Sequence, residues 1–262
     1  MKTDLKHFTN LEPANNQKLH VRKAFTLAET LITLAIIGIV AAMTLPTLIQ
    51  NYKEKAMHSK LWHAYSLFSQ AYLRAVTENG EVEYWDIGDG SDAAGDKKLY
   101  DYLKQYLLEG EDCGEEYGCF YDGDYKTMSG GVYGYSPRNH TRYARGVLNN
   151  GTSFAVASTG TGCPDTATVQ GRCGILYVDL NGYSNPNQAG VDYFAFHITK
   201  KGIKPVGMPG YDGGTNGYFC EYNGTSKGNG IGCTAYFLQK GHMNYLKYDI
   251  SDEWEFGTTD DE

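Results

Sequence analysis

The sequence predicts an α+β fold: one long N-terminal helix packs on an antiparallel β-sheet head with disulfide-stapled loops. Three observations carry this. An uncharged run from Thr30 to Tyr52 gives way to apolar residues at three- and four-residue steps, the change from an all-apolar helix to a one-sided one. Beyond Gly80, short apolar runs alternate with Gly- and Asn-rich turns, in a chain holding 32 Gly and 22 Tyr. All six cysteines lie in that later part. Hydrophobic residues at 41% and charged residues at 21% are ordinary globular values, so wholesale disorder is excluded.

Charge divides the 262 residues. Residues 1–24 carry five Lys/Arg against Asp4 and Glu12, while the net charge of the whole chain is −8. Fourteen acidic and three basic residues fall within 81–124. A basic N-terminus before an acidic body is the profile of an exported protein. A binder of nucleic acid through a basic surface is not predicted.

Leu31–Ile49 is almost wholly apolar. At ~1.5 Å per residue, ~20 such residues cross the hydrocarbon core of a bilayer. A buried core helix is the bland alternative, but the run has no polar face to turn to water. Basic residues before it keep residues 1–24 cytoplasmic and send the body outward. An ordinary signal peptide cut near Val40-Ala41-Ala42 is the nearest rival, although its apolar core is typically only ~7–15 residues.

Glu29, at the start of the run, is the feature that rival leaves unexplained. A carboxylate in the bilayer is costly and usually has a partner or a function; snorkelling to the headgroups is the plain alternative. Cleavage after Ala24 would give Phe25 a new ammonium four residues away, which the Glu29 of another subunit could neutralise inside the membrane.

The segment Lys23-Ala24-Phe25-Thr26-Leu27-Ala28-Glu29-Thr30-Leu31 resembles the cleavage and methylation motif of type IV pilins and type II secretion pseudopilins. The resemblance implies a peptidase cut after Ala24, N-methylation of Phe25 and a filament-assembly role for Glu29. Pro46 falls where family helices often carry a proline, which removes a hydrogen bond and loosens the helix. It also implies a pilin-like roll, with copies of this chain or related pilin subunits, a prepilin peptidase, an inner-membrane assembly platform and membrane lipid as partners. Ala24 departs from the family's usual Gly, and the 24-residue leader is longer than the shortest ones. Expected regions are a cytoplasmic leader (1–24), a transmembrane and filament-core helix (25–52), an amphipathic stalk helix (53–80) and an extracytoplasmic head (81–262). The implied location is the bacterial cytoplasmic membrane, then a periplasmic or extracellular filament.

In the stalk, Leu61, Ala64/Tyr65, Phe68, Ala71/Tyr72 and Ala75/Val76 mark one face, and the helix should end at Asn79-Gly80. In the head, Asp96–Leu108 reads as a helix. Strands are expected at 142–148, 152–157, 175–180, 193–199 and 203–206, the first two joined through Asn149-Asn150-Gly151, a hairpin signal.

Cysteines 113, 119, 163, 173, 220 and 233 suggest three disulfides in an exported body, with fifteen pairings formally open. Nearest-neighbour pairing would staple three Gly-rich loops. A zinc site is the alternative, but there is no CxxC and no fitting spacing. No HExxH, GxSxG or phosphate-loop pattern occurs, so no enzyme is predicted and no cofactor is required.

Two stretches concentrate oxygen ligands. Asp179, Asn181, Asn185, Asn187 and Asp192, with Gly182 and Gly190 between, could wrap calcium, which takes six to eight oxygens. The favoured reading is an Asx-rich connection held by side-chain to backbone hydrogen bonds. Asp86, Asp89, Asp92 and Asp96 form a weaker candidate, most simply solvated surface. Three Asn-x-Thr tripeptides, at Asn139, Asn150 and Asn223, match the N-glycosylation pattern, one that also arises often by chance. The tyrosine excess fits either an adhesive surface or a small β core.

Overall fold

A computed structural model describes residues 26–138, 140–165, 169–208 and 219–254. The chain divides into two compact units, Met1–Leu48 and Ile49–Glu262. The described part of the first is helical from Leu27, with Leu31, Ile32, Leu34, Ile36, Ile37 and Ile39 all exposed. This helix, α1, runs from Leu27 to Asn79 and contains Pro46. It is long and apolar enough to cross a membrane.

In the second unit, α1 buries Leu61, Ala64, Phe68, Ala71, Tyr72 and Ala75, the stripe anticipated from the three- and four-residue spacing. Burial along one face, rather than helix propensity, is what stabilises such a segment. Phe68 meets Phe154 edge-on at 5.2 Å between centroids, and Tyr65 stacks on Phe196 at 5.6 Å. The Tyr72 hydroxyl donates to the Thr199 carbonyl at 2.9 Å, and Lys60 Nζ donates to that of Leu180 at 3.1 Å. The helix stops at Gly80, whose φ of +80° suits a residue without Cβ.

The sheet packed on α1 is a six-stranded antiparallel meander, β1 (Glu109–Gly114), β2 (Ala144–Leu148), β3 (Ser153–Ser158), β4 (Arg172–Asp179), β5 (Tyr193–Thr199) and β6 (Gly202–Pro205). The β2–β3 pairing sets Ala144 opposite Val156, and the hairpin turns at Gly151, φ +83°.

Both faces of the central strands are buried. One row, Phe154, Val156, Leu176, Val178, Phe194 and Phe196, belongs to the core against α1. The alternate row, Ala155, Ile175, Tyr177, Tyr193 and Ala195, belongs to a second core roofed by Phe120, Tyr125, Tyr133 and Tyr143 from loops and by Ile231 from a short 3-10 turn. Tyr177 stacks on Tyr193 at 5.6 Å, and Tyr125 tilts against the same ring at 4.8 Å. Much of the tyrosine excess thus goes inward.

Three elements differ from expectation. The helix anticipated at Asp96–Leu108 is α2, Ala93–Lys104. It starts earlier because the Asp92 carboxylate accepts from the Gly95 N–H at 2.8 Å, an N-cap. It ends earlier because Tyr106 and Leu107 turn back onto Leu103 and Lys104 with three-residue hydrogen bonds. The β1 strand, EGEDCG, has no apolar alternation; backbone pairing to β2 holds it, with two register shifts. The short α3 (Thr234–Lys240), capped by Gly241 at φ +77°, was not anticipated either.

Candidate functional site

The candidate assembly site begins at the start of α1. Ala24 and Phe25 lie outside the described residues. Thr26 and Glu29 form a reciprocal pair. The Glu29 carboxylate accepts from the Thr26 backbone N–H at 2.8 Å and from its hydroxyl at 2.9 Å, while the Glu29 N–H donates to Thr26 Oγ1 at 3.2 Å. This is a capping box, which satisfies N–H groups that the first helical turn leaves without carbonyl partners. It also places a carboxylate at the positive end of the helix dipole. Thr30 and Thr33 return their hydroxyls to carbonyls of the preceding turn, at 2.9 and 3.0 Å. The hydroxyls of Thr26, Thr30 and Thr33 are thus all used within the helix, which suits an apolar medium. Pro46 sits inside α1 and cannot donate to the carbonyl four residues back.

The calcium candidate residues are brought together. Asp179 and Asp192 are fully buried. Asp179 accepts from the Tyr125 hydroxyl at 2.5 Å and from Asn181 N–H at 3.2 Å. Asp192 accepts from the N–H groups of Asn187 and Gln188, at 2.9 and 2.7 Å. Asn181 Nδ2 donates to the Asn185 carbonyl at 3.0 Å. Burial, and then the charge of Asp192, push the Asp179 carboxyl up to about 8; burial also raises Asp192. A calcium ion would have to displace N–H and O–H donors from these carboxylates. The geometry in hand is that of a hydrogen-bonded Asx clasp.

The aspartates before and within α2 separate by role, which corrects the reading of all four as solvated surface. Asp86 pairs with Lys98 at 2.6 Å, Asp89 holds Ser91, and Asp92 caps α2. Asp96 is instead fully buried, accepting from Ser158 N–H at 2.6 Å and from Arg142 at 3.3 Å. Burial raises its carboxyl to about 6 against those two donors.

The three disulfides are Cys113–Cys119, Cys163–Cys173 and Cys220–Cys233, the nearest-neighbour set, with no free thiol. Glu111 approaches the first bridge, but oxidised sulfur supplies no thiolate for zinc.

Sequence reasoning missed Arg145. It is fully buried, and its guanidinium donates to the carbonyls of Pro137 (2.6 Å), Tyr143 (2.7 Å), Glu115 (3.1 Å), Glu116 (3.3 Å) and His140. No short motif announces such a clamp, because its partners are backbone groups gathered by the fold.

Residues 19–45 match a family model described as the prokaryotic N-terminal methylation motif, the prepilin cleavage signal of type IV pilins and pseudopilins. Residues 47–112 match a family of unknown function, which spans the rest of α1 through α2 and most of β1. No curated protein and no solved structure is detectably similar to the chain. The methylation motif supports a type IV pilin-like or pseudopilin subunit, and the α+β architecture is pilin-like.

Proposed function

We propose that this chain is a structural subunit of a type IV pilus-like filament, working in a type II secretion pseudopilus. The observation that carries the subunit reading is the methylation motif running directly into a helix whose residues from Leu27 onward present apolar side chains outward. Such a surface is stable only in lipid or against other copies. Cleavage after Ala24 frees the Phe25 ammonium. During assembly Glu29 exchanges its Thr26 hydroxyl for the Phe25 ammonium of a neighbouring subunit, and the apolar helices pack as the filament core. The head stands on the extracytoplasmic side, where oxidised cysteines persist.

The intact mass and N-terminal sequence of protein from native membranes test this. A chain beginning at methylated Phe25 is expected. An uncut Met1, or a start near Ala42 or Met43, would overturn it. Polymerisation is tested by Glu29→Ala, which should insert normally yet fail to enter filaments; normal incorporation would refute the role of Glu29 and favour an anchored, non-polymerising binding protein. The secretion role is the finer part and rests on the resemblance. The competing role is a surface pilus for adhesion, motility or DNA uptake. Loss of protein secretion in a deletion strain, with surface filaments intact, is the result expected; the reverse would assign the surface pilus.

A further inference from the structure

Asn-x-Thr is the acceptor pattern for N-linked glycan transfer, in which the asparagine amide reacts and the threonine hydroxyl is recognised, so both side chains must be reachable. The three matches are not equivalent. Asn139 lies outside the described residues. Asn150 sits at the β2–β3 hairpin, where its Oδ1 accepts from the Thr152 N–H at 3.0 Å, and Thr152 itself is only 2% exposed. The hydroxyl this pattern needs is thus out of reach while the head is folded.

Asn223 and Thr225 are both exposed, and among the described residues no hydrogen bond engages the Asn223 amide or the Thr225 hydroxyl. Asn223 occupies the third position of a turn closed by Gly224 N–H to the Glu221 carbonyl at 3.0 Å, with φ +60°, a conformation Asn tolerates. The turn is braced from below by buried Asn229. Its Nδ2 donates to the carbonyls of Glu221 and Gly224 at 2.9 and 3.0 Å, and its Oδ1 accepts from Glu221 N–H at 3.0 Å. Ser129 Oγ adds a bond to the Gly224 carbonyl at 2.5 Å. The Cys220–Cys233 bridge ties the base of the loop. Every polar group of the turn's backbone that these residues meet is used inward, and the acceptor pair is left outward.

We propose that Asn223 is an N-linked glycan acceptor on the folded head. The donor is an oligosaccharide carried on a polyprenyl pyrophosphate. Asn223 Nδ2 attacks the anomeric carbon and forms the C–N bond. The anomeric C–O bond breaks, polyprenyl pyrophosphate leaves with the electron pair, and the amide proton passes to a base of the transferase. Such donors are presented outside the cytoplasm, so the proposal rests on the extracytoplasmic placement of the head.

Peptide mapping by mass spectrometry of the full-length protein from native membranes reads both. The expected result is a saccharide mass on the Asn223 peptide together with an N-terminal peptide beginning at methylated Phe25. The saccharide should vanish in Asn223→Gln and in Thr225→Ala, which keeps the turn residue, and persist in Thr225→Ser and Asn150→Gln. An unmodified Asn223 in a processed chain overturns the glycan proposal alone. An unprocessed, unmodified chain overturns the exported-subunit reading and the glycan with it. A glycan on Asn139 or Asn150 in place of Asn223 refutes the choice of site.

Discussion

Thr26 and Glu29 show what one pair of residues decides. The spacing T-x-x-E is a capping box in any helix, so Glu29 has a partner inside its own chain. The cost of a carboxylate at the edge of a bilayer, and then the resemblance, drew attention to Glu29 and left Thr26 unread, although the capping pattern alone would have found it. Replacing Thr26 by Val removes the hydroxyl but keeps the shape, and should speed amide hydrogen exchange at residues 27–30 in detergent micelles, while Thr26→Ser stays protected. Equal exchange in the two variants would show that the hydroxyl does not hold this turn. Asp179 and Asp96 make a second residue-scale case. Their folded-state values, about 8 and about 6, lie above the ordinary 3.8. Each therefore contributes stability that is fully present below about pH 4 and is lost as pH rises through the folded value. The melting temperature should rise as pH falls from about 8 to about 4, and Asp179→Asn should flatten the upper part of that rise. A melting temperature that falls over this window would contradict the assignment.

At the scale of elements, strand pairing and helix packing are bound together at a few positions. Phe68 on α1 inserts against Phe154 on β3. Truncating Phe68 to Ala leaves a cavity and should cost about 3–5 kcal/mol, read by denaturant unfolding of the full chain in micelles. Gly174 on β4 is a second junction: a Cβ there would stand 2.5 Å from Leu99 Cδ2 on α2 and 2.6 Å from the Ala157 carbonyl on β3. Gly174→Ala should therefore destabilise the head although alanine is small, because the backbone carbonyl cannot retreat. The strands from β2 to β6 were legible because their apolar residues and turns are local signals. The β1 strand was not, since an acidic, Gly-containing edge owes its pairing to β2 and carries no pattern of its own.

For the whole molecule, the disulfides add covalent ties that the sheet and helices do not supply. The bridges close loops with separations of 6, 10 and 13 residues, each worth ~2–3 kcal/mol by chain entropy. Reduction should lower the melting temperature in steps as single pairs are opened, and non-reducing peptide maps should recover the three local pairs. The Asx clasp makes a separate prediction. With N–H and O–H donors already on these two carboxyl groups and Asp179 held mostly protonated at neutral pH, millimolar calcium or a chelator should leave the melting temperature unchanged there. A stabilisation that saturates with calcium would establish the ion-binding reading instead.

The sequence by itself determined the membrane-capable run, the processing signal, the one-sided face of α1 and the positions of strands β2–β6. Each of these is written in consecutive or periodic residues, and a local rule reads them. Only the tertiary structure decided that the sheet is buried on both faces and that Arg145 clamps carbonyls from two loops. It also separated buried Asp96 from its exposed neighbours and Asn223 from Asn150. These depend on residues far apart in the chain meeting at a few ångströms. Burial and hydrogen-bond geometry act on such encounters, and no spacing within the sequence encodes them.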